Sequence, residues 1–176
     1  MIKKILSSYA EKMNQYIERS LPQQEGCAEV GFIGNGIEAR PNKIRIFLYS
    51  IERESVPSRG NTIRSAGEAK GFGYPDLIMN MNVLVAAVFE EKKYTESLSF
   101  FSEALGFIQS CPFFSVDGVQ YTVELVSLGL QETNNVWSCM GSQCFPAVMC
   151  KIRRLLISSG NITKVKPVNK GYQLKD

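Results

Sequence analysis

The chain has 176 residues, of which 44% are apolar and 21% are charged, and its formal net charge is +3. This length suits one compact domain, and the balance of residues excludes an intrinsically disordered chain. The net charge is too small to indicate nucleic-acid binding by itself, and the absence of histidine argues against most zinc sites and against Ser-His or Cys-His catalysis.

The N-terminal segment predicts an amphipathic helix. Apolar residues recur at helical spacing over residues 2–19, and the helix is expected to pack on its own domain. Glu11 and Lys12 fall where an export signal needs a continuous apolar core, so no signal peptide is expected. No apolar run approaches ~18 residues, so no membrane span is predicted and the expected location is cytoplasmic.

The first half of the chain alternates between strand patterns and one long polar stretch. Alternating apolar residues predict three strands, over residues 28–33, 43–54 and 76–90. Residues 55–74 are rich in glycine, serine and charge, which predicts a long loop that orders on assembly. Arg59 and Arg64 in this loop are expected to contact a partner, because guanidinium groups suit carboxylates at interfaces.

The second half predicts two helices and two strands. Thr95 is predicted as the N-cap of a helix reaching residue 110, whose expected buried stripe is Leu98, Phe101, Leu105 and Ile108. Strands are predicted over 120–128 and 147–157, with a short helix over 131–140 between them. Trp137 on that helix is interpreted as a core anchor and not as a ligand platform.

This order of elements has few helical crossovers, which favours an α+β fold. The prediction is a single domain over residues 1–158, with a mixed, mostly antiparallel sheet of about five strands, two main helices and one short helix. Residues 150–176 hold seven basic residues and one acidic residue. Residues 159–176 are therefore interpreted as a basic tail, either a solvated end or an arm for an acidic partner. The interface candidates on the preceding strand are Lys151, Arg153 and Arg154.

Four segments carry a family resemblance. They are IRIFLYSIERE, PDLIMNMNVLVAAVFE, YTESLSFFSEALGFIQSCPFF and YTVELVSLGLQETNNVWSCMGSQCFPAVMCKIRRLLI. In this order and spacing, the chain resembles the tail-terminator, or cap, proteins of contractile injection systems of the antifeeding-prophage and Photorhabdus virulence cassette type. The resemblance covers roughly residues 1 to 158.

The resemblance implies a structural protein with a domain similar to phage tail terminators. It implies self-assembly into a ring, usually hexameric, that closes the inner tube and engages the sheath. Such a subunit needs no catalytic residue, metal, cofactor or small-molecule substrate.

Three alternatives stay open at this point. The chain could be another tail component, such as a sheath or baseplate adaptor, or a nucleic-acid-binding module that uses its basic end. It could also be an enzyme with a cysteine nucleophile, since Cys144 and Cys150 lie near Lys151, Arg153 and Arg154 in the sequence. The five cysteines are more simply interpreted as free thiols in a reducing compartment.

Overall fold

The structure is a computed structural model, which describes residues 1–21, 26–34, 40–54, 62–66, 69–73, 76–141, 143–158 and 162–166. Its helices are α1 (Ile2–Ser20), α2 (Tyr94–Ser110) and α3 (Leu130–Met140), and a 3₁₀ turn, Glu91–Lys93, precedes α2. Its strands are β1 (Ala28–Val30), β2 (Lys43–Arg53), β3 (Thr62–Ala66), β4 (Ala69–Gly73), β5 (Leu77–Val88), β6 (Phe113–Val116), β7 (Val119–Val126), β8 (Ala147–Ile157) and β9 (Ile162–Lys166).

The chain divides into two units. The first contains Met1–Glu52 and Asn80–Arg154, and the second contains Arg53–Met79 and Leu155–Asp176. A six-stranded sheet has the order β1-β2-β5-β8-β7-β6, with β1 parallel to β2 and β7 antiparallel to both β8 and β6. The predicted α+β class with a mixed sheet is confirmed, with one strand more than expected in this sheet.

Helices α1 and α2 cover one face of the six-stranded sheet. The predicted apolar stripe of α1 is buried at Ile5, Leu6, Tyr9, Met13 and Ile17. The Tyr9 ring packs against Phe107 of α2 and Phe114 of β6, with centroid distances of 5.4 and 5.1 Å. Aromatic and aliphatic burial of this kind is the main stabilising term of an α+β core.

The predicted buried stripe of α2 is correct at Ile108 and wrong at its other three residues, which each lie one position after a buried one. The buried residues are Ser97, Phe100, Ala104, Phe107 and Ile108, whereas Leu98 is 40% exposed and Phe101 and Leu105 are half-buried. The helix begins at Tyr94 after the 3₁₀ turn, so Thr95 lies inside its first turn and is not the N-cap. The small side chains of Ser97 and Ala104 occupy inward positions that hydrophobicity alone assigns to larger residues.

Strand β6 is absent from the sequence prediction, although the sequence carries a signal for it. Asp117 and Gly118 have positive φ values of 51° and 76° and connect β6 to β7 as a two-residue hairpin turn. An Asp-Gly pair between alternating apolar segments is a strong hairpin signal, because both turn positions need positive φ.

Strand β5 fits its prediction in its second half. Its first half passes from the exposed Leu77 and Ile78 to the buried Asn80 and Met81 without the alternation that the sequence pattern predicts, and every residue from Val83 to Val88 is buried. The strand is central in the sheet order and is covered on both faces along its second half.

The second unit holds a three-stranded antiparallel sheet of order β3-β4-β9. Thr62 pairs with Gly73 in the hairpin of β3 and β4, and Phe72 of β4 pairs with Lys164 of β9. The expectation of a loop throughout 55–74 is therefore wrong at β3 and β4, and β9 lies within the segment interpreted as a basic tail. Strand β9 pairs with a strand distant in sequence, which a local pattern does not reveal.

Candidate interaction surface on β8 and α3

Strand β8 presents its basic residues as the sequence predicts. Ile152 is fully buried, while Lys151 and Arg153 on either side of it are partly exposed on the other face. Successive side chains of a strand point to opposite faces, so these two cations share one face. Met149, two residues before Lys151, lies on that same face and packs in the cluster around α3.

Lys151 has an acidic partner within the chain. Its Nζ lies 2.6 Å from Oε1 of Glu52 on β2, and the Asn82 side chain reaches both Ser50 Oγ, at 3.1 Å, and the Glu52 carboxylate, at 3.5 Å. The hydrogen bond from Lys151 lowers the pKa of Glu52, and the Asn82 contact acts in the same direction. The sequence prediction missed both polar partners because they come from other strands.

Arg153 also has a partner within the sheet. Its Nε lies 2.8 Å from Oε2 of Glu124 on β7. In the strand register Glu124 faces Lys151 directly and Arg153 faces Thr122, so the Arg153–Glu124 pair is diagonal. The two cations of β8 therefore lie between a carboxylate of β2 and a carboxylate of β7. Both cations predicted to meet an acidic partner are already neutralised by the chain itself.

A cleft of about 360 Å³ opens between this charged row and α3. Its apolar walls come from Val126, Leu128, Val136 and Met149, and its polar rim comes from Glu52, Asn82, Glu132, Asn135 and Lys151. An apolar base with a polar rim fits one protruding side chain of a partner protein, with an apolar stem and a polar tip. No cysteine, the best nucleophile of the enzyme alternative, lines the cleft.

Helix α3 is held in place at both ends and along one side. The Gly129 N–H donates to Oε2 of Glu132 at 2.8 Å, and the helix ends at Gly141 in the left-handed conformation, with φ of 57°. Trp137 is 6% exposed and lies in a cluster with Leu84, Val88 and Met149. Its ring meets Phe145 edge-on with a centroid distance of 5.9 Å. Trp137 is thus buried, as the sequence interpretation expects.

The cysteines do not form a reactive centre in the described residues. Cys27 and Cys150 are buried, and Cys111, Cys139 and Cys144 are half-buried or exposed free thiols. Burial raises the pKa of Cys150 to about 12, which leaves its thiol protonated at neutral pH. Burial also raises the pKa of Cys27, with Glu18 acting in the same direction. Cys150 is therefore unsuited to the nucleophile role considered from its neighbours in sequence.

The other interface candidates are placed as follows. Arg154 is exposed, directly after the paired Arg153. Arg64 lies on β3, where it faces Gly71 in the strand register, and Arg59 lies outside the residues that the structure describes. The structure places Lys151 at the rim of the α3 cleft and Arg153 on the same face of β8.

No group of three or more Cys, Asp or Glu side chains among the described residues is arranged to hold a metal ion. No helix in the described part of the chain is long and apolar enough to cross a membrane.

Comparison with known proteins gives one family and two solved structures of similar fold. A family profile described as the Pvc16 N-terminal domain matches residues 8–170. The sheath/tube terminator of an extracellular contractile injection system, PVC, in its extended state, aligns with a TM-score of 0.57 at 12% identity. The tube-terminating cap of the anti-feeding prophage aligns with a TM-score of 0.60 at 14% identity. No curated protein sequence matches the chain.

The two structural alignments are nearly complete for this chain and partial for the neighbours. They cover 94% of this chain and 64% of the terminator, and 91% of this chain and 59% of the cap. The chain therefore spans about three fifths of the length of the structures it matches. At these identities the likeness shows a shared fold.

Proposed function

Because the chain belongs to the Pvc16 N-terminal domain family, we propose that it is a structural subunit that caps the tube and sheath of a contractile injection machine. The observation that carries the proposal is the family match over residues 8–170, which is nearly the whole chain. The fold likeness to a terminator and to a cap from two such machines supports it.

We further propose that the chain acts as a ring, with a hexamer as the expected form. A single chain closes a ring through one heterologous contact, in which two different surfaces of the subunit meet. Inner tube, sheath and further copies of the chain are the partners in this proposal. Assembly takes place in the cytoplasm, before any release of the particle.

The capping role requires no catalysis, and we propose that the chain is not an enzyme. The sequence contains no histidine, and the buried Cys150 thiol is protonated at neutral pH. The charged groups on the β8 face pair with one another and do not surround a nucleophile. Their chemistry suits rigidity of the sheet and recognition of a polar partner.

The same pairing weakens the nucleic-acid alternative. Binding to phosphates needs free cations that release counterions, and Lys151 and Arg153 are already matched by Glu52 and Glu124. A sheath or baseplate adaptor stays the nearest competing function. The position of the chain on the particle separates that function from capping.

The experiment that tests the ring is native mass spectrometry of the full chain over a range of concentrations, with and without tube protein. The proposal predicts a closed oligomer of one defined size, with six copies as the expected number. A strict monomer at every concentration, also in the presence of tube protein, would contradict the proposal.

A further inference from the structure

Three residues other than glycine have a positive φ in the described part of the chain: Asn42 at 54°, Asp117 at 51° and Arg154 at 76°. Asn and Asp tolerate the left-handed region because their short side chains bond to nearby backbone. Asn42 does so, since its Oδ1 accepts the Glu90 N–H at 2.8 Å, and Asp117 belongs to the hairpin turn with Gly118. Both have a local reason for their conformation.

Arg154 has no such local reason. It lies inside strand β8, and its long side chain is exposed. Ile152 and Leu155 on either side are both fully buried, so the alternation of buried and exposed residues shifts by one position at Arg154. An extra residue in a strand is a β-bulge, and the bulge whose first residue is left-handed usually has glycine there. Arg154 therefore occupies a backbone position at which glycine is usual.

The charge of Arg154 also stands apart from that of its neighbours. Lys151 lies 2.6 Å from Glu52 and Arg153 lies 2.8 Å from Glu124, whereas Arg154 has no ion-pair partner among the residues that the structure describes. The Arg154 side chain is exposed, whereas those of Lys151 and Arg153 are half-buried. Strained backbone concentrates at functional sites, where surrounding structure holds it in place.

We infer that Arg154 is a contact residue of the ring, and that its guanidinium binds a carboxylate of the neighbouring copy of this chain. The inference rests on the proposed ring and specifies one of its contacts. The chain has the complementary charges for it, because residues 150–176 carry a net +6 and residues 21–149 a net −5. In a head-to-tail ring, a cation of one copy can meet a carboxylate of the next.

Among the described residues, three carboxylates make neither an ion pair nor a side-chain hydrogen bond: Glu11 on α1, Glu90 after β5 and Glu103 on α2. All three lie on elements other than β8, as a heterologous contact requires. Arginine suits this role better than lysine, because its planar guanidinium binds a carboxylate through two parallel hydrogen bonds. We assign the partner of Arg154 to one of these three carboxylates.

The first experiment compares Arg154→Gly, Arg154→Ala and Arg154→Lys in the full chain. The glycine variant is expected to melt at the wild-type temperature or up to about 4 °C above it, because it removes the strained arginine backbone. Its ring is expected to dissociate at about tenfold higher concentration than the wild-type ring, and the ring of the alanine variant should be weakened to the same extent. The ring of the lysine variant should be intermediate in stability between the wild-type ring and the ring of the glycine variant. The loss should shrink as salt rises from about 50 to about 500 mM.

The second experiment is a charge reversal that identifies the partner. Arg154→Glu is expected to prevent ring formation, and one of Glu11→Arg, Glu90→Arg or Glu103→Arg is expected to restore it when combined with Arg154→Glu. If the wild-type chain and the Arg154→Gly variant form rings of equal stability, the inference is overturned and the proposed function is left intact. Failure of all three reversals to restore the ring would also overturn it. A wild-type chain that never forms a ring would reject the proposed function and this contact with it.

Discussion

The Nζ atom of Lys151 on β8 lies 2.6 Å from a carboxylate oxygen of Glu52 on β2, and this pair joins two strands that are not neighbours in the sheet. Strand β5 runs between them and contributes Asn82, which contacts the same carboxylate. The contact thus links three strands on the face that carries the α3 cleft.

Removal of the Lys151 charge is expected to change the acid stability of the protein. Lys151 holds the pKa of Glu52 below its ordinary value, so the unfolded chain binds this proton more tightly than the folded chain. The stabilisation is full above the unfolded pKa, about 4.3, and is lost as pH falls through the lower folded pKa. Lys151→Met should flatten this acid-dependent loss in urea unfolding measured from about pH 2 to about pH 6.

The matched control for that variant is Lys93→Met. Lys93 and Glu96 form an exposed pair at 3.9 Å, one turn apart at the start of α2, for which no comparable effect is expected. Equal pH profiles for the wild type and Lys151→Met would show that the Lys151–Glu52 pair does not contribute to stability.

The two apolar stripes of α2 differ in their contribution to stability. Phe100 is 2% exposed and packs on Phe89 with a centroid distance of 5.1 Å, whereas Leu98 is 40% exposed. Phe100→Ala is expected to lower the free energy of unfolding by about 3–5 kcal/mol, and Leu98→Ala by less than about 1 kcal/mol. Chemical denaturation of the two variants measures both values. The reverse order of effects would mean that α2 is rotated relative to the structure.

Trp137 is expected to be a core residue and not a partner contact. Its indole fills the cluster between α3 and the sheet, so Trp137→Ala should lower the free energy of unfolding by about 3–5 kcal/mol. Leu130 on the same helix is 82% exposed, and Leu130→Ala should change stability by less than about 0.5 kcal/mol. A Trp137 variant with wild-type stability but impaired assembly would assign the tryptophan to an interface instead.

Removal of the residues after Ser159 should loosen the three-stranded sheet. The truncation deletes β9, which pairs with Lys70, Gly71 and Phe72 of β4. The hairpin of β3 and β4 would then be a two-stranded ribbon, which is marginally stable in water. Hydrogen exchange should show faster amide exchange over residues 69–73 and unchanged exchange in β5 and β7. Unchanged exchange over β4 would show that β9 does not support the hairpin.

Local pattern was sufficient for the elements that carry a clear apolar period. The α1 stripe follows from helical spacing, and the two-sided burial of the second half of β5 follows from its unbroken apolar run. The burial of Trp137 follows from the large apolar surface of its indole. The opposite faces of Ile152 and of its two basic neighbours follow in the same way from the strand period.

Other features depend on partners that spacing does not identify. The neutralisation of Lys151 and Arg153 comes from Glu52 and Glu124, which only the sheet order brings to β8. The positive φ of Arg154, inside a strand whose other residues are not left-handed, is also not visible in the sequence. The pattern of alternation gave no reason to separate Arg154 from Arg153, since adjacent cations look equivalent in sequence.

The central claim is that the chain caps one end of a contractile tube, and electron microscopy of assembled particles tests it most directly. Particles should be prepared with the wild-type chain, without it, and with the chain carrying a small fused label. We expect one labelled ring at the tube end opposite the baseplate, and tubes of uncontrolled length when the chain is omitted. Label along the sheath or at the baseplate, with tube length unaffected by omission, would contradict the claim.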